Sequence, residues 1–258
     1  EALGGNYATT SAGERLIRGL GTATFAEQTL VPEGELVPID PSVPLELAAL
    51  VGCALSTGVG AVWHTAEVSP GSSVAVVGCG GVGLSVIQGA RLAGAASIVA
   101  VDRVAAKLDM AKAMGATAVV DAGSVPNVAG AVRDATGGRG ADYVFEVVGR
   151  APTIRDAFTS ARRGGTVVLV GAGSPAESVS FNAMELFVDA KTVHGCVYGS
   201  TDPDRDFPVL VDLVRSGAID ATALVTRRIR LDDIASAFSD MEAGTVARSV
   251  IVFDQEDG

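Results

Sequence analysis

Cysteine, histidine and positive charge are all scarce in this chain, and each shortage removes a class of function. Three cysteines in 258 residues, Cys53, Cys79 and Cys196, are too few and too widely spaced for a disulfide framework or an all-cysteine zinc site. A reducing, cytoplasmic setting is the simplest expectation. The two histidines, His64 and His194, lack a second histidine at helical metal-binding spacing, so no sequence-local motif assembles a full metal site. With 19 Lys and Arg against 30 Asp and Glu, the formal charge of −11 argues against a nucleic-acid or anionic-membrane surface, since both reward clustered cations. Gly, Ser, Asp and Arg interrupt every apolar run, so none is expected to span a membrane. No secretory signal is evident, but the chain opens on Glu1 and not Met, which leaves the natural N-terminus open.

What is present is apolar and glycine-rich: 48% hydrophobic residues and 32 glycines, in a chain long enough for a large core in one or two domains. The most informative stretch is Ser73 to Gly83, Ser-Val-Ala-Val-Val-Gly-Cys-Gly-Gly-Val-Gly. Gly78, Gly80 and Gly83 fit G-x-G-x-x-G between an apolar strand-like run and a helix-like one, the signature of a dinucleotide site. The first glycine permits a sharp turn, the second admits a pyrophosphate against bare backbone, and the third lets helix and strand pack closely. The anion then lies on the helix N-terminus, where free N–H groups and the dipole favour it. A second apolar run, Ile98 to Val101, ends in Asp102, nineteen residues after Gly83. A carboxylate there accepts hydrogen bonds from ribose hydroxyls and repels a 2′-phosphate, which favours NAD. The neighbouring Arg103 keeps NADP open.

In chain order, residues 1 to 21 read as loop, and Thr22 to Val37 as short extended pieces of a β-rich unit. Helical runs follow over Leu45 to Leu55 and Val59 to Ala66, separated by Ser56-Thr57-Gly58. From Ser73 onward strands and helices alternate. Strands are expected at 74–77, 98–101, 118–120, 143–148 and 166–170. The intervening helices fall at 81–93, 104–114, 128–135 and 152–161. This predicts an α/β fold with a doubly wound parallel sheet, a Rossmann arrangement. A helix at 183–189, a strand at 192–198, helices at 207–216 and 232–242 and a last strand at 249–253 complete the pattern.

Gly-Thr-Ala-Thr-Phe-Ala-Glu (21–27), Gly-Cys-Ala-Leu-Ser-Thr-Gly-Val-Gly-Ala-Val (52–62), the glycine loop with its helix (77–90), Phe-Glu-Val-Val-Gly (145–149) and Ala-Arg-Ser-Val-Ile-Val-Phe (247–253) occur in that order. Together they resemble the zinc-dependent alcohol dehydrogenases of the medium-chain dehydrogenase/reductase superfamily, nearest the formaldehyde, thiol-adduct and aryl-alcohol branches. The resemblance implies three segments: 1–54 as the end of a β-rich catalytic domain's first part, 55–197 as the NAD-binding Rossmann domain, and 198–258 as a return to the catalytic domain. It implies that Cys53 is a catalytic zinc ligand and that Thr57 is a catalytic-site residue packing against the nicotinamide. Gly78, Gly80, Gly81, Val82 and Gly83 would form the cofactor loop. Asp102, Arg103 and Lys107 would lie at the adenosine ribose, and Val147, Gly171 and Tyr198 would line the cleft. Arg248 matches a pyrophosphate-contacting arginine, although a solvated arginine before a strand is an equal reading of the residue itself.

Cys79 and Cys196, the latter in an apolar strand, read as structural, His64 as a surface residue, and His194 matches no ligand. The family's other zinc cysteines and its Gly-His-Glu motif would precede this sequence, so the chain is expected to lack a complete zinc site and to be inactive alone. One thiolate falls short of the three protein ligands such a site uses. The implied activity is oxidation of a primary alcohol, or a thiol–aldehyde adduct, to the aldehyde or ester by hydride transfer with NAD and zinc, the small-molecule partner being an alcohol or aldehyde. The implied partner is a second copy, in a homodimer or homotetramer through an edge strand near Thr192 to Tyr198. A non-catalytic NAD-binding module and a zinc-independent quinone reductase are the alternatives, and Cys53 and Asp102 argue against the second.

Overall fold

Two helical layers sandwich one parallel sheet, and shorter pieces from both ends of the chain lie beside it. The computed structural model describes residues 7–9, 11–17, 22–244 and 246–253. Of the N-terminal stretch read as loop, the described part holds an antiparallel ribbon, β1 (Tyr7–Thr9) with β2 (Arg15–Ile17); residues 1–6, 10 and 18–21 lie outside the described residues. The extended pieces expected over 22–37 are absent, and a single 3-10 turn at Glu33–Glu35 takes their place. Pro32 and Gly34 deny that segment a regular ladder.

The sheet contains β3 (Ser73–Val77), β4 (Ser97–Asp102), β5 (Ala118–Asp121), β6 (Ala141–Glu146), β7 (Ala161–Leu169) and β8 (Thr192–Gly195). Its order is β5-β4-β3-β6-β7-β8, with every neighbouring pair parallel. The chain therefore reverses its direction of growth between β4 and β6, on either side of β3, which opens a crevice at the C-terminal ends of β3 and β6. Successive side chains point to opposite faces, so a strand apolar throughout needs cover on both. Val74, Val76, Ile98, Ala100, Phe145 and Val168 pack into one core, while Ala75, Val77, Val99, Val101, Val144 and Val167 pack into the other. Each fully buried valine or isoleucine contributes about 1.5–3 kcal/mol.

The first core is closed by a helix running from Leu45 to Thr65, where α1 (Leu45–Leu50) and α2 (Ser56–Gly60) are joined and extended by π-helical turns at Val51–Leu55 and Ala61–Thr65. The break expected at Ser56-Thr57-Gly58 does not occur. Gly58 is a packing residue: a Cβ there would lie 2.6 Å from the Val82 carbonyl oxygen and 2.5 Å from the Ser85 Cβ of α3 (Gly81–Leu92). By length and composition this helix is apolar enough to cross a membrane, contrary to the expectation that no run reaches that length. Within the fold, 56% of its apolar window is buried, which marks a core helix.

The remaining helices are α4 (Ala105–Ala113), α5 (Val128–Ala135), α6 (Ala151–Ser160), α7 (Ala183–Asp189), α8 (Pro203–Arg215) and α9 (Ile234–Ala243). Helix α8 begins four residues before its expected start, because Pro203 suits a first helical turn. A strand not anticipated, β9 (Val225–Ile229), pairs in parallel with β10 (Arg248–Ile251). Strand β8 stops at Gly195, short of Tyr198, where the backbone enters the left-handed region at φ 54°. Cys196 thus follows the strand; it is buried, and its sulfur accepts a 3.2 Å hydrogen bond from the Thr65 hydroxyl. His64 is no free surface residue: its Nε2 lies 3.1 Å from the Asp206 carboxylate, which Arg205 also holds.

At the N-terminal ends of the strands, Asp142 accepts hydrogen bonds from the backbone N–H and hydroxyl of Ser73, at 2.8 and 2.7 Å, and pairs with Arg162. Burial alone would raise this carboxyl, but the Ser73 bonds and the Arg162 guanidinium outweigh it and hold the pKa at about 2. Asp142→Asn should therefore cost roughly 2 kcal/mol at neutral pH. Because the folded value lies below the ordinary 3.8, the stabilisation is complete above that value and is lost as pH falls through about 2. Urea midpoints of wild type and variant should converge over that acid range. A gap that stays constant with pH would contradict this role.

Candidate functional site

The site forms where β3 ends. Gly78 adopts φ 99°, a conformation that disfavours any side chain, and its N–H donates to the Val101 carbonyl at 2.8 Å. A Cβ at Gly83 would collide with the Gly78 carbonyl oxygen, so helix α3 can approach the strand this closely only with glycine there. A Cβ at Gly80 would meet nothing within 4 Å, leaving that backbone open to a ligand. Among the described residues no side chain caps α3, so its first N–H groups remain available to an anion. The Arg248 side chain lies over Gly81 in the first turn. A guanidinium and the positive end of a helix dipole repel each other unless an anion lies between them.

Asp102 closes β4 and is half-buried. One carboxylate oxygen accepts from the Cys79 N–H at 2.8 Å and the other from the Val104 N–H at 3.0 Å. These bonds tie the second strand to the glycine loop and leave lone pairs over, since an ionised carboxylate can accept about four. Burial, reinforced by the Asp102 charge and only partly opposed by Lys107, pushes the Cys79 thiol up to about 12. Cys79 is therefore a neutral, buried packing group, as its variable place within the glycine motif implies. Lys107 lies on α4, with its ammonium 3.3 Å from the position a Cβ would take at Gly244. Arg103 is exposed beside Asp102.

On the other side of the crevice, the Val147 N–H donates to the Val77 carbonyl and the Gly171 N–H to the Glu146 carbonyl, at 2.8 and 2.9 Å. Val82, half-buried on α3, carries its carbonyl against Gly58 and so links the glycine loop to the Leu45–Thr65 helix. On that helix Cys53 is exposed and Thr57 half-buried, four residues apart and therefore on one face. The Tyr198 hydroxyl donates to the Gly52 carbonyl at 2.6 Å. Burial raises the Tyr198 phenol above its ordinary value, and its proximity to Cys53 adds to the shift. The fold thus gathers the sequence-predicted residues at two neighbouring places: the glycine loop with Asp102, Lys107 and Arg248, and the Cys53, Thr57 and Tyr198 group. Among the described residues no group of three or more His, Cys, Asp or Glu could hold a metal ion.

Glu146 is not among the site residues that the motifs single out. It is fully buried, and its carboxylate accepts from the N–H groups of Val148 and Gly149 and from the Thr153 hydroxyl, at 2.7 to 3.0 Å. The available signal was a lone glutamate within the apolar run Tyr143 to Val148, three residues before Gly149.

Residues 81–216 match the family model described as zinc-binding dehydrogenase. The S-(hydroxymethyl)glutathione dehydrogenase of Synechocystis sp. is 38% identical over 240 residues, covering 93% of this chain and 65% of that protein. Benzyl alcohol dehydrogenase from Acinetobacter calcoaceticus superposes with a TM-score of 0.87 at 30% identity, covering 95% of this chain and 68% of that one. A chain from Sinorhizobium meliloti solved bound to NADP superposes at 0.78 with 29% identity, covering 89% of this chain and 66% of that one. The chain spans between 63% and 66% of the length of the curated relatives it matches.

The three cysteines differ sharply in access, with Cys53 exposed and Cys79 and Cys196 buried. A thiol reagent applied to the native chain at mild alkaline pH should modify Cys53 alone, and Cys53→Ser should abolish the rapid phase. Rapid labelling of Cys79 would contradict the burial of the glycine loop.

Proposed function

The chain belongs to the zinc-binding dehydrogenase family, and from that premise we propose that its glycine-loop crevice holds NAD for hydride transfer from a primary alcohol or a thiol–aldehyde adduct. One observation carries the reading: Arg248 and the uncapped N-terminus of α3 converge on the open backbone of Gly80, with Asp102 at the end of the next strand. These groups fit a pyrophosphate and a ribose. Backbone N–H groups of Gly81, Val82 and Gly83, with Arg248, would hold the pyrophosphate, while Asp102 and Lys107 would take the adenosine ribose. Val147, Gly171, Thr57 and Tyr198 would shape the nicotinamide side. When bound, NAD supplies the hydride-accepting ring, and the protein's task is position and electrostatics. Asp102 favours NAD by repelling a 2′-phosphate, whereas the adjacent Arg103 is the group a phosphorylated cofactor would use.

The described residues do not build a catalytic zinc site. Such a site takes about three protein ligands, and among the described residues Cys53 is the one presented beside Thr57 and Tyr198. Cys53 is proposed as one ligand of the family's catalytic zinc, and no step through the metal follows from these residues alone. The chain by itself should bind NAD without oxidising alcohols. Three free cysteines suit a reducing compartment such as the cytoplasm.

Strand β8 is one of the sheet's two edge strands and is exposed along its length; Phe187 on the preceding helix α7 and Val197 just after the strand are 81% and 87% exposed. An unpaired strand edge beside apolar side chains invites a second copy, so a homodimer or homotetramer through this edge is proposed. Light scattering at micromolar concentration should report at least a dimer, and a monomer would contradict this assembly. In calorimetric titrations, NAD should bind more tightly than NADP, and Asp102→Asn should weaken NAD about tenfold while narrowing that preference. Tighter binding of NADP to the wild type would overturn the assignment to Asp102.

A further inference from the structure

Glu146 is a carboxylate buried to 0% exposure at the end of β6, and no ion pair to it is found among the described residues. Burying an unpaired carboxylate is costly, and here hydrogen-bond donors offset the cost. The side chain accepts from Val148 N–H, Gly149 N–H and the Thr153 hydroxyl. Its backbone carbonyl accepts from the N–H groups of Val170 and Gly171, at 2.8 and 2.9 Å. A single residue thereby organises two loops, 147–149 after β6 and 170–173 after β7. The loops meet backbone to backbone: a Cβ at Gly171 would collide with the Gly149 nitrogen, and one at Gly173 with the Gly149 carbonyl oxygen. The first loop in turn meets the glycine loop, since a Cβ at Gly78 would lie 2.6 Å from Val148 Cγ2.

In a sheet of this order, a dinucleotide straddles the reversal point. Its adenosine lies toward β4, where Asp102 stands, and its other half toward β6 and β7. We propose that Glu146 is a positioning residue for that other half: its carboxylate templates the 147–149 loop, and through that loop's packing on 170–173, which the Glu146 carbonyl holds, it sets the wall against which the nicotinamide and its ribose lie. The proposal rests on the reading of the crevice as a dinucleotide site. It differs from a general stabilising role because it confines the effect to one half of the ligand. Glu146→Gln keeps an acceptor oxygen but sets an amide NH2 against an N–H already pointing inward, so the loops should lose their register while the adenosine side stays intact.

The test is titration of the full chain with NAD and with 5′-AMP, which carries the adenosine half alone, alongside circular dichroism. Glu146→Gln should weaken NAD about tenfold and change 5′-AMP less than twofold. Thr153→Val removes one donor to the same carboxylate at nearly constant shape, and should weaken NAD about threefold with 5′-AMP unchanged. Should Glu146→Gln fail to fold, Thr153→Val carries the same discrimination. Equal losses for both ligands, or none for either, in a folded variant would overturn the positioning role. A wild-type chain that binds 5′-AMP and NAD equally would overturn it as well. A wild type that binds neither would overturn the dinucleotide reading itself, and the positioning role with it.

Discussion

The contact between Gly83 and the Gly78 carbonyl is the constraint on which the rest of this structure depends. It brings the first turn of α3 directly against the end of β3, which fixes the helix axis over the sheet and leaves its N–H groups at the mouth of the crevice. The long Leu45–Thr65 helix is located by the same element, because Gly58 rests on the Val82 carbonyl and the Cα of Val59 faces Gly89. Cys53 and Thr57 therefore stand beside the crevice as a consequence of glycine packing at Gly58, next to Thr57 on the same helix. Any side chain at Gly83 would disturb the strand, the helix and the Cys53 face together.

Electrostatics then gives the crevice a direction. Two positive features, Arg248 and the dipole of α3, converge at Gly80 and Gly81, while two carboxylates lie on either side of β3. Asp102 is half-buried and holds the glycine loop from the β4 side; Glu146 is fully buried and holds the β6 side. Both carboxylates accept backbone N–H groups, so the negative charge lies in the walls and the positive field on the floor. In a chain of net charge −11, that local inversion is what lets an anionic ligand approach.

Much of this was legible in the sequence, for a physical reason. Strands buried on both faces are apolar without alternation, and the helices between them carry a 3.6-residue period, so β3 through β6 and helices α3 to α6 fall within two residues of their expected bounds. Strand β7 begins at Ala161, five residues before its expected start, because the polar and glycine-containing stretch at its beginning carries no apolar run. The glycine loop and Asp102 were legible because their spacing serves a geometry that few other residues satisfy. The Ser-Thr-Gly stretch at 56–58 was misread as a break, because a glycine chosen for a close helix crossing looks the same as one chosen for a turn. Strands β1, β2 and β9 are short and lie outside the main sheet, where no long apolar run announces them. Glu146 escaped because a buried carboxylate satisfied by the next few backbone N–H groups leaves no spacing pattern. His64 escaped because its partner Asp206 is remote in sequence.

The central claim is that the N-terminus of α3 is an anion site shared with Arg248, and a crystal structure of the chain with NAD tests it most directly. The account predicts pyrophosphate oxygens at hydrogen-bonding distance, about 3 Å, from the N–H groups of Val82 or Gly83 and from the Arg248 guanidinium, with the adenosine ribose on Asp102. Pyrophosphate density away from the α3 N-terminus, or Arg248 turned from it into solvent, would contradict the account.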